Sequence, residues 1–244
     1  MSCSLFTFYV DCIIQAISQC GEDGWLGTLH CLMQMDDTAV LATSRDRLIN
    51  KLRKLKYCSD DIDQTMHPVK SKYLVVNSAD REAITLDNIV ISHMDSYVYL
   101  GTPMSNSPLG HQVQDHLHRK NAHVIKFLSF LSRNRDVPYH VKEKVWCSAL
   151  TSAILYSCES WLCSDLRSAE TPYMSTLKQM LGVRSTTCND ITLLEAGVPS
   201  ARTYIARRQV SFLHKLHARP DFPSSYLNWL IDHSTTPILS LSQS

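Results

Sequence analysis

Two adjacent aspartates, Asp36 and Asp37, are the residues whose types and spacing are best suited to chemistry in this sequence. They lie between two short runs rich in Leu, Met, Val and Ala within residues 29–42, and this pattern predicts a β-hairpin with a carboxylate pair at its tip. Neighbouring carboxylates repel each other, and a bound divalent cation removes that repulsion. Mg²⁺ is commonly held by one or two carboxylates together with substrate phosphates. A magnesium site is therefore one interpretation, and a solvated hairpin turn is the other.

Two predicted helices flank this hairpin and must position it. Residues 2–18 carry apolar side chains at helical spacing, and Ser44 or Asp46 can cap a second helix with one apolar face. The other face of that helix is basic and includes Lys51; it could contact nucleic acid, although a solvated surface explains it as well. Further strands are predicted at residues 73–76, 84–91 and 97–100. We expect the last two to form a hairpin, which makes this part of the chain α+β.

From Leu109 onward the apolar residues change their period from two to about 3.6, which predicts an all-helical region. The predicted helices are residues 110–133, 138–157, 166–181 and 200–218, with a less regular helix at 224–233. We therefore expect an α+β domain over residues 1–108 and a helical domain over residues 109–233. Residues 234–244 are predicted to be a disordered tail.

Charge is distributed unevenly along a chain that is otherwise ordinary in composition. Of its 244 residues, 44% are hydrophobic and 19% are charged, as expected of a globular protein. Residues 1–110 carry 9 Lys and Arg against 13 Asp and Glu, whereas residues 111–220 carry 15 against 8. A basic helical part beside an acidic, metal-binding part would suit a protein that follows a nucleic-acid backbone. A basic solvated surface is the alternative.

Cysteines, histidines and apolar runs do not indicate another chemistry. The nine cysteines include no Cys-x-x-Cys pair, and the sequence shows no signal peptide. We therefore expect an intracellular protein of the nucleus or cytoplasm that is not secreted. No Cys, Asp or Glu completes a four-ligand zinc site around His116, His118 and His123, so we do not expect zinc there. No apolar run approaches the roughly 18 residues of a membrane span, so no membrane partner is expected.

Five segments resemble, in the same order, blocks of the reverse transcriptases of non-LTR retrotransposons. The segment 35–42 is similar to the family's x-Asp-Asp signature, which usually continues with Thr and an apolar strand; Gln34 stands where the family usually has Tyr or Phe. The other segments are similar to a palm helix at residues 2–10, a lysine-bearing block at 67–77, a Tyr-Leu-Gly block at 97–103 and a Tyr-Gly-x-Glu-x-Trp element at 155–161. The resemblance implies a partial polymerase palm followed by a helical thumb and connection region.

This resemblance implies template-directed addition of deoxynucleotides to a primer hydroxyl, with two Mg²⁺ ions at the reacting phosphate. It makes Asp36 the main metal ligand, for Mg²⁺ or Mn²⁺, and Asp37 its weaker partner. It places Lys70 beside the triphosphate, where an ammonium group could neutralise charge or donate a proton to the leaving pyrophosphate. A lysine that extends from a strand end into solvent is the alternative for Lys70.

The implied partners are an RNA template, a DNA primer paired with it, and deoxynucleoside triphosphates. In the family, the hairpin that begins at Tyr99, Leu100 and Gly101 holds the primer end. The candidates for contacts with the nucleic-acid backbone are basic residues of the helical part: Arg119, Lys120, Lys126, Arg202, Arg207 and Arg208.

The family's fingers, a strand with another metal-binding aspartate and an Arg-Gln-Gly turn would all lie before Met1. We therefore expect this chain alone to have little or no polymerase activity, and its missing upstream half is a further candidate partner. Two alternatives stay open: a nucleic-acid-binding module that has lost catalysis, and a degenerate element fragment.

Overall fold

The computed structural model describes residues 3–27, 29–76, 80–161 and 165–218. It is mixed α+β, as predicted, and divides into two compact units, Met1–Asn106 and Ser107–Ser244. The predicted helix at 224–233 and the predicted tail at 234–244 lie outside the described residues. No helix in the described ranges has both the length and the apolar character needed to cross a bilayer.

The described part of the first unit contains two longer helices and several short strands. In chain order these elements are α1 (Cys3–Ser18), a 3-10 helix (Gly24–Leu26), β1 (Cys31–Gln34), β2 (Asp37–Val40), α2 (Arg45–Asp61), β3 (Lys72–Tyr73), β4 (Ile84–Leu86), β5 (Ile89–His93), β6 (Ser96–Tyr99) and β7 (Thr102–Ser105). β1 and β2 form one antiparallel hairpin, and β6 and β7 form another. β5 lies between β3, to which it is parallel, and β4, to which it is antiparallel.

The two predicted helices of this unit are confirmed, and they pack on each other through their apolar faces. Ser44 caps α2 as expected, because its side chain accepts a hydrogen bond from the backbone of Arg47 at 3.4 Å. The core of the unit consists of buried residues from both helices and the β3–β5–β4 sheet: Ile13, Ile17, Leu52, Leu55, Tyr73, Ile84, Leu86 and Ile91. This core supports the β1–β2 hairpin, because Cys31, Met33 and Val40 are half-buried against it.

The predicted pairing of residues 84–91 with residues 97–100 is wrong. The chain turns at Asp87, so β4 pairs with β5, while β6 pairs with β7. Two-residue turns are the reason: Asp87 has a φ of +52°, and Leu100 and Gly101 have φ of +47° and +80°. Leu100 and Gly101 have the positive φ at both residues that is typical of a type I′ turn, whereas only the first residue of the turn at Asp87 has a positive φ. Two-residue turns with these angles have a twist that suits antiparallel strands. Gly101 therefore closes a hairpin instead of only ending a strand.

The predicted strand at 73–76 is shorter than expected. Only Lys72 and Tyr73 form β3, and they pair with Ser92 and His93 of β5. Because β5 ends at His93, no described strand lies beside the residues that follow Tyr73. Strand formation there is limited by the length of the neighbour and not by local sequence.

The second unit is helical in its described part. Its elements are α3 (Leu109–Arg133), α4 (Tyr139–Val145), a π-helical segment (Trp146–Thr151), α5 (Ser152–Ile154), a 3-10 helix (Cys158–Ser160), α6 (Arg167–Leu181), α7 (Asn189–Ala196) and α8 (Ala201–His217). The helices predicted at 110–133, 166–181 and 200–218 are confirmed, and the one at 138–157 is divided by the π-helical segment. α7 was not predicted, although Gly197, with a φ of +66°, is the usual residue to end a helix.

Tryptophan side chains can stack on nucleic-acid bases, but Trp146 and Trp161 belong to the core of this unit. Trp146 is 1% exposed, donates to the hydroxyl of Thr176 at 3.0 Å and packs edge-on against Tyr173. Trp161 is buried and packs edge-on against the ring of His116, with 5.4 Å between the ring centroids. Trp229 lies outside the described residues.

The element at residues 155–161 holds the helices of the second unit together. Glu159 forms an ion pair with Arg208 of α8, and Gln209 of α8 donates to the carbonyl of Trp161 at 2.8 Å. Before them, Ser157 has a φ of +60°, a left-handed conformation that favours glycine. Ser157 occupies the position of the glycine in the Tyr-Gly-x-Glu-x-Trp element that this segment resembles.

We expect Ser157→Gly to raise the free energy of unfolding of the second unit by about 1 kcal/mol. The left-handed conformation costs an L-residue roughly 1–2 kcal/mol, and the larger chain entropy of glycine offsets part of that gain. Ser175→Gly within α6 is the matched control and should lower stability by about 0.5 kcal/mol, because glycine is the poorer helix former. Urea unfolding monitored by circular dichroism measures both. Equal losses of stability in Ser157→Gly and Ser175→Gly would show that the backbone at Ser157 is not strained.

Candidate functional site

The two aspartates lie at the tip of the β1–β2 hairpin, as predicted. Gln34 pairs with Asp37 in the register of the hairpin, so Met35 and Asp36 form a two-residue turn. Met35 has a φ of +54°, which is uncommon for a residue with a bulky side chain and stores backbone strain. Asp36 and Asp37 are both exposed. A strained turn thus presents two adjacent carboxylates to solvent.

A buried ion pair fixes the base of this hairpin. Asp23 and Lys51 are 1% and 2% exposed, and the carboxylate of Asp23 accepts a hydrogen bond from the ammonium of Lys51. Lys51 also donates to the backbone carbonyl of Leu41, which directly follows β2, at 2.7 Å. Asp23 accepts from both the backbone N–H and the hydroxyl of Thr43, the former at 3.2 Å. The pair therefore joins α2 and the segment before the hairpin to its outgoing strand.

Two further residues show how tightly Asp23 is held. Arg47 contributes an additional ion pair at 3.0 Å from the exposed side of α2. Burial alone raises the pKa of Asp23, but hydrogen bonds from Lys51, Thr43 and Arg47 outweigh it and hold the pKa well below its usual range. Gly24 follows with a φ of +54°, and a Cβ there would meet the side chain of Thr43 at 3.2 Å. A larger side chain at position 24 would crowd Thr43, which hydrogen-bonds to Asp23.

Lys51 corrects the sequence prediction for α2. We expected it on the basic outer face, but it is buried with the apolar residues Leu52 and Leu55. A signal was present: Lys51 precedes Leu55 by four residues, which places both on one side of a helix. The sequence did not reveal its partner Asp23, which lies 28 positions away.

His30 is a second buried polar residue at the base of the hairpin. It is 4% exposed, and its Nδ1 atom has no hydrogen-bond partner among the described residues. Burial and the charge of Lys51 lower the pKa of His30, against the opposite effect of Asp23. The backbone carbonyl of His30 accepts from Leu41 at 2.8 Å, so His30 lies directly beside the strand that Lys51 supports.

The β6–β7 hairpin is connected to the aspartate hairpin through Tyr99. The Tyr99 hydroxyl donates to the backbone carbonyl of Leu32 in β1 at 3.2 Å. Burial, and to a smaller extent the negative charge of Asp37, raise the pKa of Tyr99. Leu100 and Gly101 form the exposed turn of this hairpin. The hairpin that contains the Tyr-Leu-Gly segment is thus hydrogen-bonded to the strand that precedes the Asp-Asp segment.

Lys70 lies in an exposed turn before β3. Its backbone N–H donates to the imidazole of His67 at 3.3 Å, and its ammonium forms no ion pair with Asp36 or Asp37 in the part of the chain that the structure describes. The geometry therefore leaves both interpretations of Lys70 open, an ammonium beside a nucleotide and a solvated side chain.

The basic candidates on α3 differ in their surroundings. Arg119 and Lys126 are exposed, whereas Lys120 is half-buried and lies 5.8 Å from the centroid of the Tyr156 ring. A cation over an aromatic ring is a favourable contact within the protein. Arg119 and Lys126 are consequently the more accessible cations of this helix.

The basic candidates on α8 also differ. Arg202 donates to Glu170 at 3.2 Å, and Arg208 donates to Glu159 through two nitrogens, Nε at 2.7 Å. Hydrogen bonds with the hydroxyl of Tyr204 and with Glu159 raise the pKa of Arg208. Arg207 is exposed and forms no ion pair with any described residue. Of these three arginines, Arg207 has the charge most available to a ligand.

The donor set at the hairpin tip suits a hard divalent cation but is small. Asp36 and Asp37 offer carboxylate oxygens, which Mg²⁺ prefers. Within the described residues, no group of three or more His, Cys, Asp or Glu side chains is arranged to hold a metal. Two carboxylates with added phosphate oxygens are compatible with Mg²⁺, whereas a second ion would need further ligands.

No protein-family model, curated protein or solved structure matches this chain. The similarity of five segments to reverse transcriptase blocks therefore remains a resemblance. A functional assignment depends on the residues and geometry of the hairpin site.

We expect Lys51→Met to lower the free energy of unfolding of the first unit by about 3–5 kcal/mol, because Asp23 would keep a buried charge without its main partner. Arg47→Gln, at the half-exposed partner of the same carboxylate, should cost at most about 1 kcal/mol. Combining Lys51→Met with Asp23→Asn should recover part of the loss, since both charges are then absent. Urea unfolding of the purified variants gives these values. Equal losses of unfolding free energy in Lys51→Met and Arg47→Gln would show that the ion pair of Asp23 and Lys51 is not the main stabilising contact of this carboxylate.

Acid should destabilise the first unit in two separate pH ranges. His30 has a lowered pKa in the folded state, so protonation of the unfolded chain begins to reduce stability as pH falls below about 6.5. Asp23 also has a lowered folded pKa, so its contribution is present above about pH 3.9 and is lost as pH falls below that value.

Two variants should separate these ranges. His30→Leu should flatten the upper range, and Asp23→Asn should flatten the lower one. Urea unfolding at a series of pH values, monitored by the amide resonances of residues 31–40, measures both. A wild-type profile unchanged by either substitution would show that other groups control acid unfolding.

Proposed function

We propose that this chain is the palm and thumb part of a reverse transcriptase of the non-LTR retrotransposon class, an RNA-directed DNA polymerase. The observation that carries the proposal is the pair of exposed carboxylates, Asp36 and Asp37, beside the strained residue Met35 at the tip of a two-residue hairpin turn. Strain that the surrounding structure maintains is typical of functional sites. A two-residue hairpin turn needs a positive φ, and Gly, Asn or Asp usually provides it at less cost than Met.

Asp36 and Asp37 would hold the metal ion, Mg²⁺ or Mn²⁺, with Asp36 as the main ligand. Bound there, the ion supplies stabilisation of negative charge on the reacting phosphate. The buried pair of Asp23 and Lys51 would keep the hairpin, and with it both carboxylates, in one position. Positioning of this kind matters because transition-state stabilisation is sensitive to small displacements.

The hydrogen bond from Tyr99 to Leu32 supports a shared role for the two hairpins. In the proposed enzyme, Tyr99, Leu100 and Gly101 hold the primer end, and this hydrogen bond fixes their hairpin against β1. Lys70 would approach the triphosphate from its exposed turn. The accessible cations of α3 and α8, Arg119, Lys126 and Arg207, would contact the primer–template backbone in an intracellular compartment.

A second candidate is a nucleic-acid-binding module without catalysis. It is favoured by the small donor set, since the described residues offer no third metal ligand beside Asp36 and Asp37. The two functions make different predictions: binding by such a module survives Asp36→Ala and has no need of a divalent cation, whereas polymerisation requires both.

Primer extension on an RNA template with Mg²⁺ tests the proposal. We expect a longer protein, extended upstream through the genomic reading frame, to extend the primer, and Asp36→Ala in it to lower the rate at least about 100-fold. Asp61→Ala, which removes an exposed carboxylate from the end of α2, is the matched control and should leave the rate unchanged.

The 244-residue chain is assayed in parallel, alone and mixed with the upstream part of the longer protein. Equal extension by the longer protein and its Asp36→Ala variant would overturn the assignment of the hairpin. Extension by the chain alone, lost in Asp36→Ala, would show that its site is complete. Binding of primer–template without extension by any of these proteins would support the second candidate.

A further inference from the structure

The charged side chains of helix α8 are all positive. Its sequence contains three arginines and one lysine but no aspartate or glutamate. Arg202 and Arg208 are neutralised by Glu170 and Glu159, which belong to other segments of the second unit. Arg207 and Lys215 are exposed and have no ion pair among the described residues. The helix therefore separates cations that serve the fold from cations that face solvent.

The two exposed cations belong to a row of polar side chains, in which the hydroxyl of Thr203 also lies 2.9 Å from the hydroxyl of Ser200. Thr203, Arg207, Ser211 and Lys215 follow one another at four-residue intervals, and all four are exposed. Residues at this spacing form a ridge along a helix, with about 6 Å between successive positions and about 18 Å from end to end. Hydroxyl, guanidinium and ammonium groups are the side-chain donors that proteins use most for phosphate oxygens. The ridge borders a shallow groove that also includes His214.

We propose that Thr203, Arg207, Ser211 and Lys215 form a phosphate-contacting ridge that binds the backbone of a nucleic-acid duplex. Arg207 and Lys215 lie about 12 Å apart along the helix, a length over which a duplex presents several phosphates, because it carries a charge about every 1.7 Å. The proposal rests on the proposed function only in its choice of nucleic acid as the ligand. It goes further by naming the face of α8 that binds and by assigning Arg202 and Arg208 to the fold.

A nucleic acid fits this ridge better than a membrane surface does. Helices that lie on membranes bury a broad apolar face beneath their cations. On α8 the apolar residues Ala201 and Ile205 are buried in the protein, and Val210 and Phe212 are the large apolar residues that remain exposed. The ridge position between the two cations carries the hydroxyl group of Ser211. Hydroxyl groups at regular spacing match phosphate oxygens and gain nothing from lipid chains.

The salt dependence of binding by the full chain tests the ridge. The probe is a short RNA–DNA hybrid duplex, titrated at several salt concentrations between about 50 and 200 mM. Arg207→Gln combined with Lys215→Gln should reduce the slope of log K against log salt by about 2, since each lost phosphate contact accounts for roughly 0.9. Lys144→Gln combined with Arg184→Gln removes the same charge from exposed positions outside α8 and should leave the slope unchanged.

The hydroxyl groups give an independent measurement. Thr203→Val combined with Ser211→Ala should weaken binding by about two- to tenfold per lost hydrogen bond, with the slope unchanged because no charge is removed. Arg207→Lys should retain the slope. Circular dichroism of each variant confirms that the helix is intact.

Three outcomes would overturn the ridge. The first is binding with the wild-type slope in Arg207→Gln/Lys215→Gln, which leaves the proposed function standing with another nucleic-acid surface. The second is an equal loss in the Lys144→Gln/Arg184→Gln control, which would indicate only an effect of net charge. The third is the absence of duplex binding by the wild-type chain. If the chain then binds anionic phosphatidylserine vesicles, the ridge is a membrane-binding surface. Loss of polymerase activity in Asp36→Ala with unchanged binding would leave the ridge intact, so the two proposals fail separately.

Discussion

The first unit depends on one buried ion pair, between Asp23 and Lys51. Removing two charges from water costs several kcal/mol per ion, so such a pair persists only where other hydrogen bonds complete it. Here Thr43 and Leu41 do so with backbone groups, and these groups belong to the segment that directly follows β2 of the aspartate hairpin. The charges at the tip are exposed and lack such support of their own. The structure therefore contains two charged sites with different roles. The buried ion pair of Asp23 and Lys51 fixes the geometry of the hairpin. The solvent-exposed carboxylates of Asp36 and Asp37 are available for chemistry.

In the second unit, a short segment between helices holds the neighbouring elements together. The short segment that contains Ser157, Glu159 and Trp161 meets α3 through the ring of His116 and α8 through Arg208 and Gln209. Trp161 lies at the end of this segment, and its backbone carbonyl accepts from the side chain of Gln209. This arrangement explains why two of the basic residues on α8 are turned toward the protein. Only the remaining cations of that helix are available to a polyanion.

The two proposals follow from this division of roles. Carboxylates at a strained turn suit a divalent cation and phosphate chemistry, and a helix without acidic residues suits a phosphate backbone. Tyr99 gives the first proposal a physical connection, since its hydroxyl joins the hairpin that resembles a primer grip to the strand before Asp36. Each site is built from donors and acceptors of the right type, and each is supported by residues that have no contact with the ligand.

The sequence by itself determined the local structure: the hairpin around Asp36 and Asp37, the cap at Ser44 and the helices predicted at 110–133, 166–181 and 200–218. These features depend on periodicity, capping and turn chemistry between residues close in the chain. It did not determine which strands pair, because residues 84–91 contain two strands separated by a turn at Asp87, and the turns at Asp87 and Leu100 decide the pairing. Nor did it reveal that Lys51 is buried or that Arg208 pairs with Glu159. Only the tertiary structure decided these, because a charge can be buried when a partner from a distant segment reaches it, and that meeting depends on the packing of whole elements.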